Sequence, residues 1–257
     1  MRLVLAFLAL LLAVPATAQD TGTPPLTIEV LRTSAGSLHV NSALIMGERE
    51  AVLVDPPFTL ADAHRVAAMV LDSGRELTRI FVTHDHPDHF FSMEVLAESF
   101  PNAQIVAHPT VVADIWRSLP AKVVRWSPGL GDNGPAYPSA PQALTEDRIM
   151  LEGHELRVIG PMQGDHVHST ALWVPAIRAL LPGDLVFNEV HLWLGEHDAA
   201  AAAAWGDSVD LLIALDPAIV VAGHARPGLP DDLSGLTFTR DYLAAWPQLV
   251  EQANGSV

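Results

Sequence analysis

Residues 79–93, RIFVTHDHPDHFFSM, pass from a nearly all-apolar segment straight into six positions that hold three histidines and two aspartates. LTRIFVTH reads as a strand buried on both faces, and a turn that follows such a strand can aim several side chains at one point. His84, His86 and His89 offer imidazole nitrogens there, and Asp88 offers a carboxylate. These ligand types suit zinc and also iron or manganese. One cation cannot use all of them comfortably, so the cluster points to two adjacent sites. The chain has only 12 histidines, which makes a solvated turn enriched by chance a poor explanation.

Further ligands must come from elsewhere in the chain, and three later segments supply them. MQGDHVHSTALW (162–173) carries His166 and His168 ahead of an apolar strand. LLPGDLVF (180–187) places Asp184 at a strand end after a Pro-Gly turn, and IVVAGHARPG (219–228) ends an apolar strand on His224. Each alone is a weak signal, since strand-end polar residues are common. Together they describe one end of a sheet where donors converge.

The order HxHxDH, a Gly/His segment, Gly-Asp and Gly-His resembles the metallo-β-lactamase-fold hydrolase superfamily over nearly the whole chain beyond residue 18. The resemblance implies an α/β fold, the αβ/βα four-layer sandwich, with a two-metal site at one edge of the packed sheets. It implies that His84, His86 and His166 hold a first metal and Asp88, His89 and His224 a second. Asp184 would bridge both. Asp55, in AVLVDPPF (51–58), matches the superfamily's early aspartate, which supports the site by fixing a ligand histidine. One departure is visible: where Gly-His-Thr/Ser is usual, this chain has Gly164-Asp165-His166 with His168 two residues on. The third ligand of the first metal is therefore His166 or His168. His166 is preferred because it follows the glycine turn more closely, and the other would contact substrate.

Such a site implies two Zn2+ ions, with iron or manganese as alternatives. Paired metals about 3.5–4 Å apart can share a water, lower its pKa toward about 7 and present a bridging hydroxide to an electrophile. Asp88, as ligand and proton acceptor, is the expected catalytic residue. His191 in FNEVHLWLGEH (187–197) sits near Trp193 and is expected to line the pocket, with Trp126 and Trp193 available to an apolar substrate. His39, His64, His108, His154 and His197 read as structural or exposed.

Around these motifs the chain reads as β-rich halves, each ending in helices. LTIEVLR, SLHVNSALIMG and EAVLVD are strands, and Thr59 with Asp62 caps a helix that Gly74 ends. A helix over about 89–99, strand AQIVAHP and a short helix near 111–118 follow. Residues 127–142, with four prolines and three glycines, read as an irregular loop and candidate lid. The second half gives hairpin RIMLEGHELRVIG, strands STALWVP, IRALLPGD and AIVVAGH, and helices over about 198–215 and 231–251.

Length and 49% apolar content suit one large α/β domain, expected to span residues 19–257. Residues 1–18, MRLVLAFLALLLAVPATA, have the charge, apolar run and small-x-small end of a cleaved signal peptide. The run is shorter than the ~20 residues of a spanning helix, so no stable membrane insertion is expected after cleavage. The protein is expected to be exported, periplasmic or secreted. There is no cysteine, which removes disulfides, thiolate ligands and cysteine nucleophiles. A formal charge of −16, one unit more negative after loss of Arg2, repels phosphate backbones, so a small-molecule substrate is expected and nucleic acid is not.

These features lead to an exported dinuclear zinc hydrolase for an ester, lactone or thioester. A periplasmic metallo-β-lactamase is the runner-up, and an iron-dependent persulfide dioxygenase-like enzyme comes third. A noncatalytic metal module is disfavoured because a closed structural site needs only four ligands.

Overall fold

A computed structural model describes residues 26–195 and 197–254. The proposed signal peptide lies outside the described residues. Alternating or all-apolar runs become strands β1 (Thr27–Arg32), β2 (Asn41–Met46), β3 (Glu50–Val54), β4 (Glu76–Val82) and β5 (Gln104–Ala107), and the exposed pair Gln142–Ala143 adds β6, all hydrogen-bonded in that order. The first three are antiparallel. The rest run parallel, because helices α1 (Leu60–Ser73), α2 (Met93–Ser99) and α3 (Pro109–Leu130) supply the crossovers that parallel pairing needs. Thr59 accepts the Asp62 N–H at the start of α1, and Gly74 ends it with φ of 66°.

The second sheet has the order β11-β10-β9-β8-β7, with β7 (Arg148–Leu151), β8 (His154–Met162), β9 (Ser169–Val174), β10 (Ala179–Asn188) and β11 (Ile219–Ala225). Glu152 and Gly153 both take positive φ in the β7–β8 turn, the twist that suits a two-residue hairpin. Helix α4 (Ala199–Ile213) crosses over between the parallel strands β10 and β11, and α5 (Ser234–Asn254) closes the described chain. Among the described residues, no helix is long and apolar enough to cross a membrane.

Val52, Val54 and Phe81 of the first sheet share one core with Leu156, Leu172 and Leu181 of the second. The outer face of the first sheet packs Leu53 and Ile80 against Val66 and Val70 of α1. Leu180 and Val220 on the outer face of the second pack against Trp205, Val209 and Leu236. The result is the expected αβ/βα four-layer sandwich.

Two elements differ from expectation. Helix α3 runs to Leu130, so residues 127–130 end a helix instead of starting a loop, and a 3-10 turn over Gly131–Asn133 follows. Pro120 and Pro128 lie inside it, and an interior proline costs about 3 kcal/mol or more. Tertiary anchoring outweighs that cost. Val111, Ile115 and Leu119 are buried against Phe90 and Phe91, and Ser118 and Lys122, on either side of Pro120, both reach Asp85. Strand β10 also extends through Asn188, which puts Asp184 in mid-strand; its pairing with β9 stops at Leu181, while pairing with β11 continues past a register shift.

The sandwich is tied along the edge where these segments meet. The Thr83 carbonyl accepts both the N–H and the hydroxyl of Thr170, at 3.0 and 2.6 Å, and Asn41 donates to the Ala222 carbonyl at 2.8 Å. The ends of β3 and β4, the start of β9 and the mid-parts of β10 and β11 are thereby brought together.

Candidate metal centre

The outward-facing atoms of the histidines determine what the cluster can do. Asp55, at the end of β3, accepts the Thr83 N–H at 2.8 Å, the Thr83 hydroxyl at 2.9 Å and His89 Nδ1–H at 2.9 Å. Because the Thr83 hydroxyl donates to Asp55, its oxygen is left to accept His84 Nδ1–H at 3.0 Å. His224 Nδ1–H donates to the Leu38 carbonyl at 2.9 Å, and its ring stacks on Phe187. These bonds fix the tautomers, so His84, His89 and His224 turn an Nε2 lone pair inward.

The inward atoms fall into two groups. His84, His86, Asp165 and Asp184 form one, and Asp88, His89 and His224 the other; within each, the donor atoms lie within 4.8 Å of one another. Asp184 spans both groups: Oδ1 lies 3.1 Å from His89 Nε2, while Oδ2 lies 3.3 Å from His224 Nε2 and 3.9 Å from His84 Nε2. Asp88 Oδ2 is 3.2 Å from His224 Nε2, and Asp165 Oδ2 is 2.7 Å from His86 Nδ1.

The donors fit divalent cations. Among the described residues, His84 Nε2, His89 Nε2, Asp165 Oδ1 and Asp184 Oδ1 are buried without a hydrogen-bond partner, and all four point into the cluster. An imidazole lone pair facing a carboxylate oxygen across about 3 Å is repulsive unless a cation or proton lies between them. Where no cation is present, protons fill the role. Burial works against charge on His224, but Asp184 and Asp88 outweigh it and raise the ring to about 10; Asp165 likewise lifts His86 to about 9 against burial. Burial, with Asp184 beside it, raises Asp165 to about 7. Asp184 is held well below the usual carboxylate range by His224 and His89 in spite of burial. His84, buried among other imidazoles, falls well below the usual histidine range and keeps its lone pair free. Cation uptake at such a site displaces protons.

A family model described as the metallo-beta-lactamase superfamily matches residues 35–224, which spans this whole donor set. The chain belongs to the metallo-beta-lactamase superfamily. It is a metallo-hydrolase by family. A metallo-beta-lactamase type 2 of Pseudomonas aeruginosa is 23% identical over 195 residues, covering 75% of this chain and 70% of that protein. A metallo-beta-lactamase from Pontibacter korlensis superposes with a TM-score of 0.62 at 16% identity, over 86% of this chain and 95% of its own. Another from Hirschia baltica gives 0.59 at 18% identity, over 85% and 92%. At these identities the superpositions show a shared fold.

This superfamily member departs from expectation at the first donor group. His166 does not join it; Asp165 stands beside His84 and His86 instead. His166 Nδ1 accepts the His168 backbone N–H at 3.2 Å, which leaves Nε2–H to face Asp85 Oδ1 at 3.3 Å. His168 also stands outside both donor groups; its Nδ1 lies 2.6 Å from Asp114 Oδ2 on α3. His197, read from sequence as structural or exposed, reaches the Gly164 carbonyl at 2.8 Å and braces the turn that carries Asp165. His191 lines the cleft, with Nδ1 3.1 Å from the Tyr242 hydroxyl. His39 lines it too.

Backbone space is as restrictive as the ligands. A Cβ on Gly223 would lie 1.9 Å from Asp184 Oδ1, and one on Gly183, where φ is 51°, would lie 2.3 Å from Thr83 Oγ1. Gly223→Ala therefore has to displace the shared carboxylate. The variant is expected to retain at most about one of two cations, because donor geometry sets affinity. Elemental analysis after dialysis checks this, with circular dichroism as the control for folding.

Proposed function

We propose that the protein is an exported, zinc-dependent dinuclear hydrolase that cleaves an ester, lactone or thioester bond. The observation that carries this reading is the sharing of Asp184 by two donor groups that open onto a cleft of about 800 Å³. A closed structural site needs four ligands and no access, whereas seven donors, five of which line the cleft, suit catalysis. Imidazole and carboxylate donors without thiolate are compatible with zinc. Export rests on the leader-like residues 1–18.

His84, His86, Asp165 and Asp184 would hold one cation, and Asp88, His89 and His224, with Asp184 between, the other. When bound, divalent metals supply Lewis acidity and a water nucleophile competent near neutral pH. Asp88 lines the cleft while its Oδ2 is anchored at His224. Burial opposes its ionisation, but His89 and His224 hold it below the usual carboxylate range, so it stays ionised. It is placed to orient the attacking water and to pass that proton to the departing group. Asp55 keeps His89 and, through Thr83, His84 in the ligating tautomer.

Hydrolysis of a β-lactam is the second reading, favoured by the name of the Pseudomonas aeruginosa relative. Turnover of aryl esters, lactones, thioesters and nitrocefin by metal-loaded protein, with and without chelator, separates the two. Chelator-sensitive cleavage concentrated on the first three supports the proposal, and turnover confined to nitrocefin supports the second reading. No turnover by protein with two bound metals rejects both.

A further inference from the structure

The cleft departs from the acidic excess of the chain, since three basic side chains line it beside three donor carboxylates. The whole sequence has 30 acidic against 14 basic residues, yet apart from the donor carboxylates every aspartate, glutamate, lysine or arginine lining the cleft is basic: Lys122, Arg125 and Arg226. Two of these are engaged. Lys122 lies 2.8 Å from Asp85 Oδ2, and Arg226 lies 2.7 Å from Glu189. Arg125 forms no ion pair among the described residues; its guanidinium sits 4.5 Å from the centroid of the Trp126 ring.

Helix α3 explains the placement. Asp114, Ser118 and Lys122 recur every four residues and fix one face of the helix against His168 and Asp85. Trp126 continues that row, and Arg125 lies about 4.5 Å further along the axis than Lys122, at a rise of about 1.5 Å per residue. An arginine over an indole keeps its fork of N–H donors available and suits bidentate capture of a carboxylate. Trp126, Trp193, Phe187 and Val190 supply apolar surface in the same cleft.

We propose that Arg125 is a specificity-determining residue that selects substrates carrying a carboxylate on an apolar body, held with the carboxylate on Arg125 and the scissile bond over the Asp88–Asp184 floor. The kinetic part of this inference rests on the hydrolytic reading above; the binding part rests on Arg125 and the apolar surface beside it. The net charge of −16 makes the preference informative, since it opposes anion binding in general.

The test compares mono-4-nitrophenyl suberate with 4-nitrophenyl octanoate on zinc-loaded wild type, Arg125→Gln and Arg125→Glu. The wild-type ratio of kcat/KM, anionic over neutral, is expected to exceed one, to fall about tenfold in Arg125→Gln and to invert in Arg125→Glu, the size associated with a charge-assisted hydrogen-bonded pair. Damage to the fold lowers both rates and leaves the ratio alone. In parallel, calorimetric titration with 3-phenylpropionate and 3-phenylpropanamide reads recognition without turnover. If neither ester is cleaved but the carboxylate preference is present and lost in Arg125→Glu, the hydrolytic reading fails for esters and the inference stands. If wild type shows no anion preference, or keeps it unchanged in both variants because the metals alone capture the carboxylate, the inference is overturned.

Discussion

Asp184→Ala is expected to abolish hydrolysis to within background, a fall of more than about a thousandfold in kcat/KM, and to reduce bound metal from two ions to one or none. The size follows from sharing. Loss of an outer partner of a ligand typically costs about 10–100-fold in metal affinity or activity, and Asp184 is a direct donor that reaches both groups. Its two oxygens face His89, His224 and His84, so its removal takes the shared anionic donor from both groups. Asp184 is buried, and the cavity left by alanine does not replace its oxygens. Elemental analysis and kcat/KM on the same preparation check the two parts together. Two retained metals in the alanine variant would show that Asp184 is not the shared donor.

Asp88→Asn is the second large effect. It keeps the side-chain shape and one oxygen donor but removes the proton acceptor, and general acid–base catalysis typically contributes about 10²–10⁴-fold. Turnover should fall by that order at metal concentrations that saturate both groups. The comparison must be made at saturation because Asp88 is also a donor in the second group, 3.2 Å from His224. Unchanged kcat with two metals bound would remove Asp88 from its catalytic role.

Much of the fold could be read from the chain because local signals and tertiary demands agree. Thr59 and Gly74 cap α1 as their chemistry dictates, and the Glu152-Gly153 turn sets its hairpin. Helix α3 was not legible past Ser118, since Pro120 and Pro128 argue locally for its end, while the contacts of Ser118 and Lys122 with Asp85 come from 33 and 37 residues away. In the site, HDHPDH, Asp184 and His224 stand out because buried strands feed directly into them. Asp165 does not. The chain offers Asp165, His166 and His168 within four positions, and reading by residue type favours an imidazole. The outcome depends on partners invisible in sequence: His166 faces Asp85, His168 reaches Asp114 on α3, and the Gly164 turn braced by His197 delivers Asp165. The departure from Gly-His at Gly164-Asp165 was the available signal.

Asp55 shows the opposite case. Its role depends on a left-handed backbone, φ 58°, at the end of β3, which turns the carboxylate toward Thr83 and His89. Only the resemblance to the superfamily marked it in advance, since nothing in AVLVDPPF itself specifies a partner 34 residues away.

Anomalous diffraction across the zinc edge, on crystals grown with zinc, addresses the paired centre directly. Two peaks are expected, one contacted by His84, His86 and Asp165, the other by Asp88, His89 and His224, with Asp184 between them. A single peak, or a first site closed by His166 with Asp165 turned away, would contradict it.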